Sequence, residues 1–282
     1  MALILKTVEA ARGARWVGDA WRVFRKKPLP FTGLAALVLV IAQLSSLWLP
    51  LALLVGMLAP LLVGLGFMIA GQSALLNGPV LARSFIEPLR TDATRRRSLL
   101  LLCLAYGTLL MAVFALGTAV SGEAWDRVGQ ALQMERTEAA QAALIEALAG
   151  PGVMSGVLVV VGLWSLVALV FWHAPALVHW GGQRPGQALF SSTLAVWSNR
   201  GAFFVYVLAL LASGMGVMLV ATLLGALLAS VPSVVVLVGL LAMAVSVAVY
   251  NLSLLFCFND CFGGAPVQLE PAAEAPAEGP DA

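Results

Sequence analysis

The 282-residue chain has 61% hydrophobic and 11% charged residues, a mean hydropathy of +0.97 and a formal net charge of +2. Soluble domains have about 45–50% apolar and about 25% charged residues, so this composition excludes a soluble globular protein. The three cysteines are not a disulfide framework. We expect an all-α integral membrane protein that has no separate soluble catalytic domain.

The first predicted element is a basic amphipathic helix at residues 7–27, within a cytoplasmic segment of residues 1–30. Its polar residues recur at spacings of three and four, and its aromatic residues lie on another face. Such a helix directly before a membrane span is typical of the inner leaflet surface, where anionic lipids attract Lys and Arg. A solvated helix packed on the membrane domain is the alternative. The candidate contacts with lipid phosphate in this segment are Arg22, Arg25, Lys26 and Lys27.

Long stretches without charge predict the membrane spans. Residues 31–82 and 201–259 contain no Asp, Glu, Lys, Arg or His, and each stretch is long enough for two spans of about 20 residues. We place turns at residues 48–50 and 230–233. Pro232 suits the second turn, because proline is tolerated in the first turn of a new helix. The membrane domain covers residues 31–262, and its six predicted spans are residues 31–48, 51–75, 98–120, 153–178, 201–229 and 232–258.

The segment between the second and third spans is basic. Arg95, Arg96 and Arg97 directly precede the third span. Arginines at a membrane boundary are typical topology determinants and lipid-phosphate contacts, and a ligand site is the alternative. We therefore include these three residues among the candidate lipid-phosphate contacts.

Residues 121–150 are acidic and rich in Ala, Gln and Glu, which favours helix. The fourth span, which follows them, ends with both histidines of the chain. His173 and His179 are six residues apart, so they fall on different sides of a helix and lack the i, i+4 spacing of a helical metal pair. We interpret them as histidines at the membrane interface and keep His173 as a candidate polar contact.

Residues 185–199 form a second predicted surface helix before the fifth span. An aromatic residue, a basic residue and a phenylalanine stand at positions 24, 27 and 31, and again at 197, 200 and 204. This is a weak internal repeat, which chance also explains. If it is genuine, each repeat is a surface helix followed by a helical hairpin, and the two repeats are parallel.

The end of the sixth span carries the remaining polar candidates, Asn251 and Asp260. Cys257 and Cys261 share a helix face, so with Asp260 they could ligate a metal, and His179 would be a distant fourth ligand. One thiol pair is half a site, and cysteine is frequent in apolar helices. We therefore predict no metal and no cofactor. Residues 263–282 contain no basic residue and are predicted to be a disordered acidic tail.

The positive charges predict the orientation. Seven Lys and Arg lie in residues 1–30, five in 72–98, two in 176–200 and two in the acidic segment between the third and fourth spans. Cytoplasmic segments carry an excess of Lys and Arg. With both termini in the cytoplasm, fourteen of these residues are inside and two are outside. We expect a multi-pass protein of the bacterial inner membrane.

Four phrases of the sequence resemble an uncharacterised family of bacterial inner-membrane proteins: GFMIA, FIEPLR, FWHAPALV and PGQALFSS. That family is distantly similar to the membrane domain attached to some glycerophosphodiester phosphodiesterases. The resemblance covers most of residues 10–263, and Arg184 departs from it at a position where Ser or a similar cap is usual. It implies a fold and a location. Because this chain has no soluble phosphodiesterase domain, it implies no activity and no catalytic residues.

These observations favour a non-enzymatic membrane scaffold or accessory subunit in lipid or envelope processes. No Asp, Glu, Lys or Arg lies within a predicted span, where such residues usually mark proton relays and ion paths. The alternative is a transporter or channel for a small or lipid-like substrate, which a hydrophobic cleft between helices would favour. The expected partners are anionic lipids at the cytoplasmic face and other membrane proteins. Nucleic acid is not expected, because the basic residues adjoin membrane spans.

Overall fold

The structure is a computed structural model that describes residues 4–134 and 137–263. Within these ranges the chain is all-α, with two short 3₁₀ turns between α3 and α4. The helices are α1 (Arg12–Lys26), α2 (Pro28–Ser45), α3 (Leu49–Leu75), α4 (Ala93–Ser121), α5 (Ala124–Gln133), α6 (Glu138–Ala149), α7 (Pro151–Phe171), α8 (Ala174–His179), α9 (Pro185–Ser198), α10 (Arg200–Leu227) and α11 (Pro232–Phe262).

Six helical segments of the described chain are long and apolar enough to cross a membrane. They are Pro28–Ser45, Leu49–Leu75, Ala93–Ser121, Pro151–His179, Arg200–Leu227 and Pro232–Phe262. Each matches one predicted span, so the all-α integral membrane fold is confirmed. Large apolar side chains on these helices are widely exposed, including Phe204, Met215 and Leu219 of α10. A surface of this kind suits contact with lipid. Its apolar side chains need no hydrogen bonds, and the backbone groups satisfy theirs within each helix.

The ends of the helices differ from the prediction for local reasons. Pro28 and Pro50 lie inside the first turns of α2 and α3 because proline needs no N–H there. α4 begins five residues early because the Asp92 carboxylate accepts a hydrogen bond from the Arg95 backbone N–H at 3.0 Å. The fourth predicted span is interrupted after α7. Pro175 cannot donate the next backbone hydrogen bond, and a short helix, α8, continues the chain.

The two predicted surface helices, α1 and α9, stand in the same place relative to the helix that follows each of them. α1 ends one residue before α2, and α9 ends one residue before α10. Both are therefore followed immediately by a long apolar helix, and the internal repeat stays a prediction. The acidic segment between the third and fourth spans forms α5 and α6, and Thr137 caps α6 by accepting from the Ala140 N–H at 3.2 Å. The predicted acidic tail beyond Gly263 lies outside the described residues.

The first of two compact units consists of Val63–Glu87 and the described parts of Met1–Val40 and Gly201–Ala282. In this unit α1 packs along α11. Its largest fully buried side chains include Trp16, Phe31, Phe67, Tyr206 and Phe258. The core of this unit is therefore built at the end of α11 that carries Asp260.

The second unit consists of Ile41–Leu62 and Pro88–Arg200. Within this unit, α4 and α7 form the most extensive contact between two helices of the described chain. A Cβ atom on Gly156 would lie 2.8 Å from the Gly117 carbonyl oxygen and would clash with the Ser121 side chain. Small residues at this crossing let the two backbones approach, as is usual between membrane helices.

Candidate functional site

The last turn of α11 presents Asp260 to α1. The Arg12 guanidinium donates to the Asp260 carboxylate from Nε at 2.5 Å and from Nη2 at 3.2 Å, and the Trp16 indole N–H donates to it at 2.6 Å. The hydrogen bond to Asp260 raises the pKa of Arg12. Charge-assisted hydrogen bonds are roughly twice as strong as neutral ones. Asp260, predicted as a polar contact, therefore ties α1 to α11, and this engagement argues against its use as a metal ligand.

Asp19 is a second acidic residue at this site; it belongs to α1 itself and is 4% exposed. Its carboxylate lies 2.8 Å from the Arg22 guanidinium and 3.9 Å from that of Arg12. Burial raises the pKa of Asp19, while Arg22 and Arg12 act in the opposite direction. Arg12 therefore lies between two carboxylates, which fixes its side chain on the face of α1 that meets α11.

Aromatic packing holds the same face of α1 against α10. The Trp16 ring, which is fully buried, makes edge contacts with Phe203 at 5.6 Å and with Tyr206 at 5.5 Å between ring centroids. A Cβ atom on Gly13 would lie 2.7 Å from the Tyr206 backbone nitrogen. The apolar face of α1 thus packs against other parts of the protein. This contact agrees with the alternative in which α1 is a solvated helix packed on the membrane domain. Its placement at the lipid surface stays a prediction.

An apolar groove lies beside the far end of α1. Its volume is about 690 Å³, and its lining consists of Trp21, seven residues of α10 from Ala212 to Leu224, and four residues of α11, which are Val238, Leu241, Ala242 and Val245. We name it the α10–α11 groove. The Trp21 indole N–H donates to the Ser213 hydroxyl at 2.8 Å. The Trp21 indole N–H and the Ser213 hydroxyl are the polar side-chain groups of the described lining. The rest of the lining is apolar, which suits an apolar ligand chain.

The predicted lipid-phosphate contacts of α1 have different surroundings. Arg22 is paired with Asp19, and Lys27 donates from Nζ to the Gly78 carbonyl oxygen at 2.5 Å. Arg25 donates from Nε to the Trp21 carbonyl oxygen at 3.4 Å, so its guanidinium lies beside the backbone of a residue that lines the groove. Arg25 and Lys26 are exposed. Among the described residues, Arg22 is also exposed but forms an ion pair with Asp19, whereas Arg25 and Lys26 are in none of the ion pairs and stay open to an anionic headgroup.

The arginines at the start of α4 form a separate group in the second unit. Arg95 lies 3.2 Å from the Asp92 carboxylate and donates to the His179 carbonyl oxygen at 3.1 Å. It therefore joins the first turn of α4 to the last residue of α8. Arg96 and Arg97 are exposed, so their predicted role as lipid contacts is sterically open.

His173 and Asn251, the remaining predicted polar contacts, are both buried. The His173 backbone N–H donates to the Ser192 hydroxyl at 2.9 Å, which joins the start of α8 to α9. The Asn251 side-chain N–H donates to the Val247 carbonyl oxygen at 2.8 Å, one turn earlier on α11. These bonds are structural contacts inside each unit.

Sequence reasoning missed the partners of the tryptophans. Trp16 and Asp260 are 244 positions apart, and Trp21 and Ser213 are 192 positions apart. The sequence did contain a signal that bears on this pairing. Asp260 follows directly after the uncharged residues 201–259, and the helix near the N-terminus is basic and contains tryptophan. That signal identifies complementary groups but gives no pairing.

Comparison with known proteins finds a relative along nearly the whole chain. The probable inner membrane protein BTH_II0599 of Burkholderia thailandensis is 32% identical over 271 residues, which cover 92% of this chain and 95% of the relative. No protein-family model matches the chain, and no solved structure matches it. The name of the relative states a location and no activity.

Proposed function

Because the chain belongs to the family of bacterial inner-membrane proteins that includes this Burkholderia relative, we propose that it is a non-catalytic accessory subunit or scaffold for a lipid or envelope process. The observation that most supports this proposal is the attachment of α1 to α11. Arg12, Trp16 and Asp260 fix this helix to the membrane helices, while Arg25 and Lys26 are exposed. A rigid basic surface beside membrane spans suits anionic lipid and acidic partner segments.

The proposal includes the orientation with both termini in the cytoplasm. Its support is the excess of Lys and Arg, fourteen against two, in the segments that would then face the cytoplasm. Single cysteines at Glu146 and Gln187, labelled in intact cells with a membrane-impermeant maleimide, test it. The native cysteines are buried, so their background is low. We expect labelling at position 146 without permeabilisation and at position 187 only after it; the reverse pattern would contradict the orientation.

Native mass spectrometry of the gently extracted full chain tests the accessory role. A partner subunit that stays bound at constant stoichiometry supports it. The distant resemblance to the membrane domain of glycerophosphodiester phosphodiesterases supports a lipid-metabolising enzyme as the kind of partner. A chain that always appears without another protein, and that retains one small solute instead, would contradict the accessory role.

Movement of a lipid-like substrate is a second candidate function, and the α10–α11 groove favours it. An apolar groove along two spans could guide the chain of an amphiphile. The test is reconstitution of the purified protein in vesicles that contain a fluorescent phospholipid in both leaflets. Loss of all fluorescence after addition of external dithionite would support movement between leaflets, whereas loss of only about half would exclude it.

A further inference from the structure

The α10–α11 groove exists because the two helices touch at two levels and separate between them. Near the start of α10, the Tyr206 hydroxyl lies 2.6 Å from the Ser253 hydroxyl. Near its end, a Cβ atom on Gly225 would lie 3.4 Å from a Val235 methyl group. The buried residues of α10 lie at these levels, and none lies between positions 207 and 224. The groove therefore lies between two points of contact of α10 with α11.

The length of the groove corresponds to one leaflet. Ala212 and Leu224 bound it on α10, and at 1.5 Å per residue they lie about 18 Å apart along the helix axis. The hydrocarbon core of a bilayer is about 30 Å thick, so the groove is a little over half as long and corresponds to about one leaflet. A single acyl chain has this reach. A transmembrane helix from another protein would need a groove along the whole span.

The end of the groove near α1 has the character of a headgroup site. Trp21 contributes to the lining at this end, and its indole N–H donates a hydrogen bond to the Ser213 hydroxyl. Tryptophan is favoured where hydrocarbon meets headgroups. Arg25 lies one helical turn after Trp21 on the same face of α1 and donates to its carbonyl oxygen. A guanidinium at this place suits phosphate, which it can bind through two parallel hydrogen bonds.

We propose that the α10–α11 groove is a binding site for one anionic phospholipid of the leaflet on the α1 side. One acyl chain lies between α10 and α11, and the phosphate lies on Arg25 beside Trp21. The occupant is a membrane phospholipid because the site combines a one-leaflet apolar groove with an exposed cation at its end. This site goes beyond the accessory role, since a lipid can be held here whether or not another subunit binds.

The test uses the full chain in nanodiscs of phosphatidylcholine that contain a small fraction of phosphatidylglycerol with a diazirine in the middle of one acyl chain. Illumination cross-links lipid to nearby protein, and peptic mapping locates the products. We expect the cross-links to concentrate in residues 212–224 and 238–245. The same probe with a phosphatidylcholine headgroup should give fewer of them.

A substitution in the groove, with a matched control, distinguishes lipid bound in the groove from lipid that contacts the protein surface elsewhere. Gly216→Leu places a side chain in the groove, where a Cβ atom meets nothing within 4 Å, so folding is spared. Gly239→Leu is the control, because Gly239 is equally open and lies outside the lining. We expect Gly216→Leu to lower the groove cross-links roughly tenfold, the change that about 1.4 kcal/mol produces, and Gly239→Leu to leave them unchanged.

Arg25→Gln tests the headgroup site, with Lys26→Gln as a control of equal charge. Arg25→Gln should abolish the preference for phosphatidylglycerol over phosphatidylcholine, and Lys26→Gln should retain it. Equal cross-linking of wild type and Gly216→Leu, an even distribution over all lipid-facing helices, or protein–protein products between two copies at the groove would overturn the lipid site. None of these readouts depends on a partner subunit, so failure of the accessory role is seen separately.

Discussion

Replacement of Asp260 by alanine is expected to release α1 from the membrane helices. The substitution removes the acceptor of the Trp16 indole N–H, which lies on a fully buried side chain. An unsatisfied buried donor costs about 1–3 kcal/mol. The ion pair with Arg12 adds less, about 1 kcal/mol, because the two side chains are 35% and 22% exposed and solvent screens their attraction.

The expected loss of about 2–4 kcal/mol raises the opening equilibrium of α1 about 30- to 1,000-fold. Hydrogen–deuterium exchange measures it directly as loss of amide protection across Arg12–Lys26, with little change in α4 and α7 of the other unit. Asp260→Asn retains one acceptor oxygen and should lose less protection. Asp126→Ala, at an exposed acid of α5, is the control. Unchanged protection of α1 in Asp260→Ala would refute the reasoning.

Three further predictions concern close packing and pH. Gly13→Leu should lower the melting temperature in detergent, because its side chain would meet the backbone of Ala202 and Tyr206, whereas Gly18→Leu should have little effect, because nothing lies within 4 Å of a Cβ there. Gly156→Leu should likewise separate α4 from α7, with the open Gly162→Leu as its control, and equal melting temperatures would contradict this packing. Burial raises the pKa of Asp19, so the protonated form contributes stability that is present below the unfolded pKa, about 3.9, and is lost as pH rises through the folded value. The melting temperature of Asp19→Asn should therefore rise relative to wild type as pH increases from the unfolded pKa, about 3.9, through the raised folded pKa of Asp19, and a difference that stays constant with pH would contradict the shift.

The predicted spans were close to the observed helices for a reason specific to membranes. A bilayer of about 30 Å requires about 20 apolar residues in each helix, and backbone groups in lipid must be satisfied within the helix. Composition along the chain was therefore enough to find the spans. Errors at the ends came from single residues, such as the Asp92 cap of α4 and Pro175 after α7.

The sequence by itself determined the membrane class, the spans and the basic helix before the first of them. Only the tertiary structure decided which faces meet, because lipid is as apolar as a protein core and a uniformly apolar helix carries no pattern that separates the two. Phe203 is buried and the adjacent Phe204 is exposed, although both are phenylalanines on the same helix. The same limit hid the pairing of Arg12 and Trp16 with Asp260 and the gap between α10 and α11, since both depend on contacts between residues far apart in the chain.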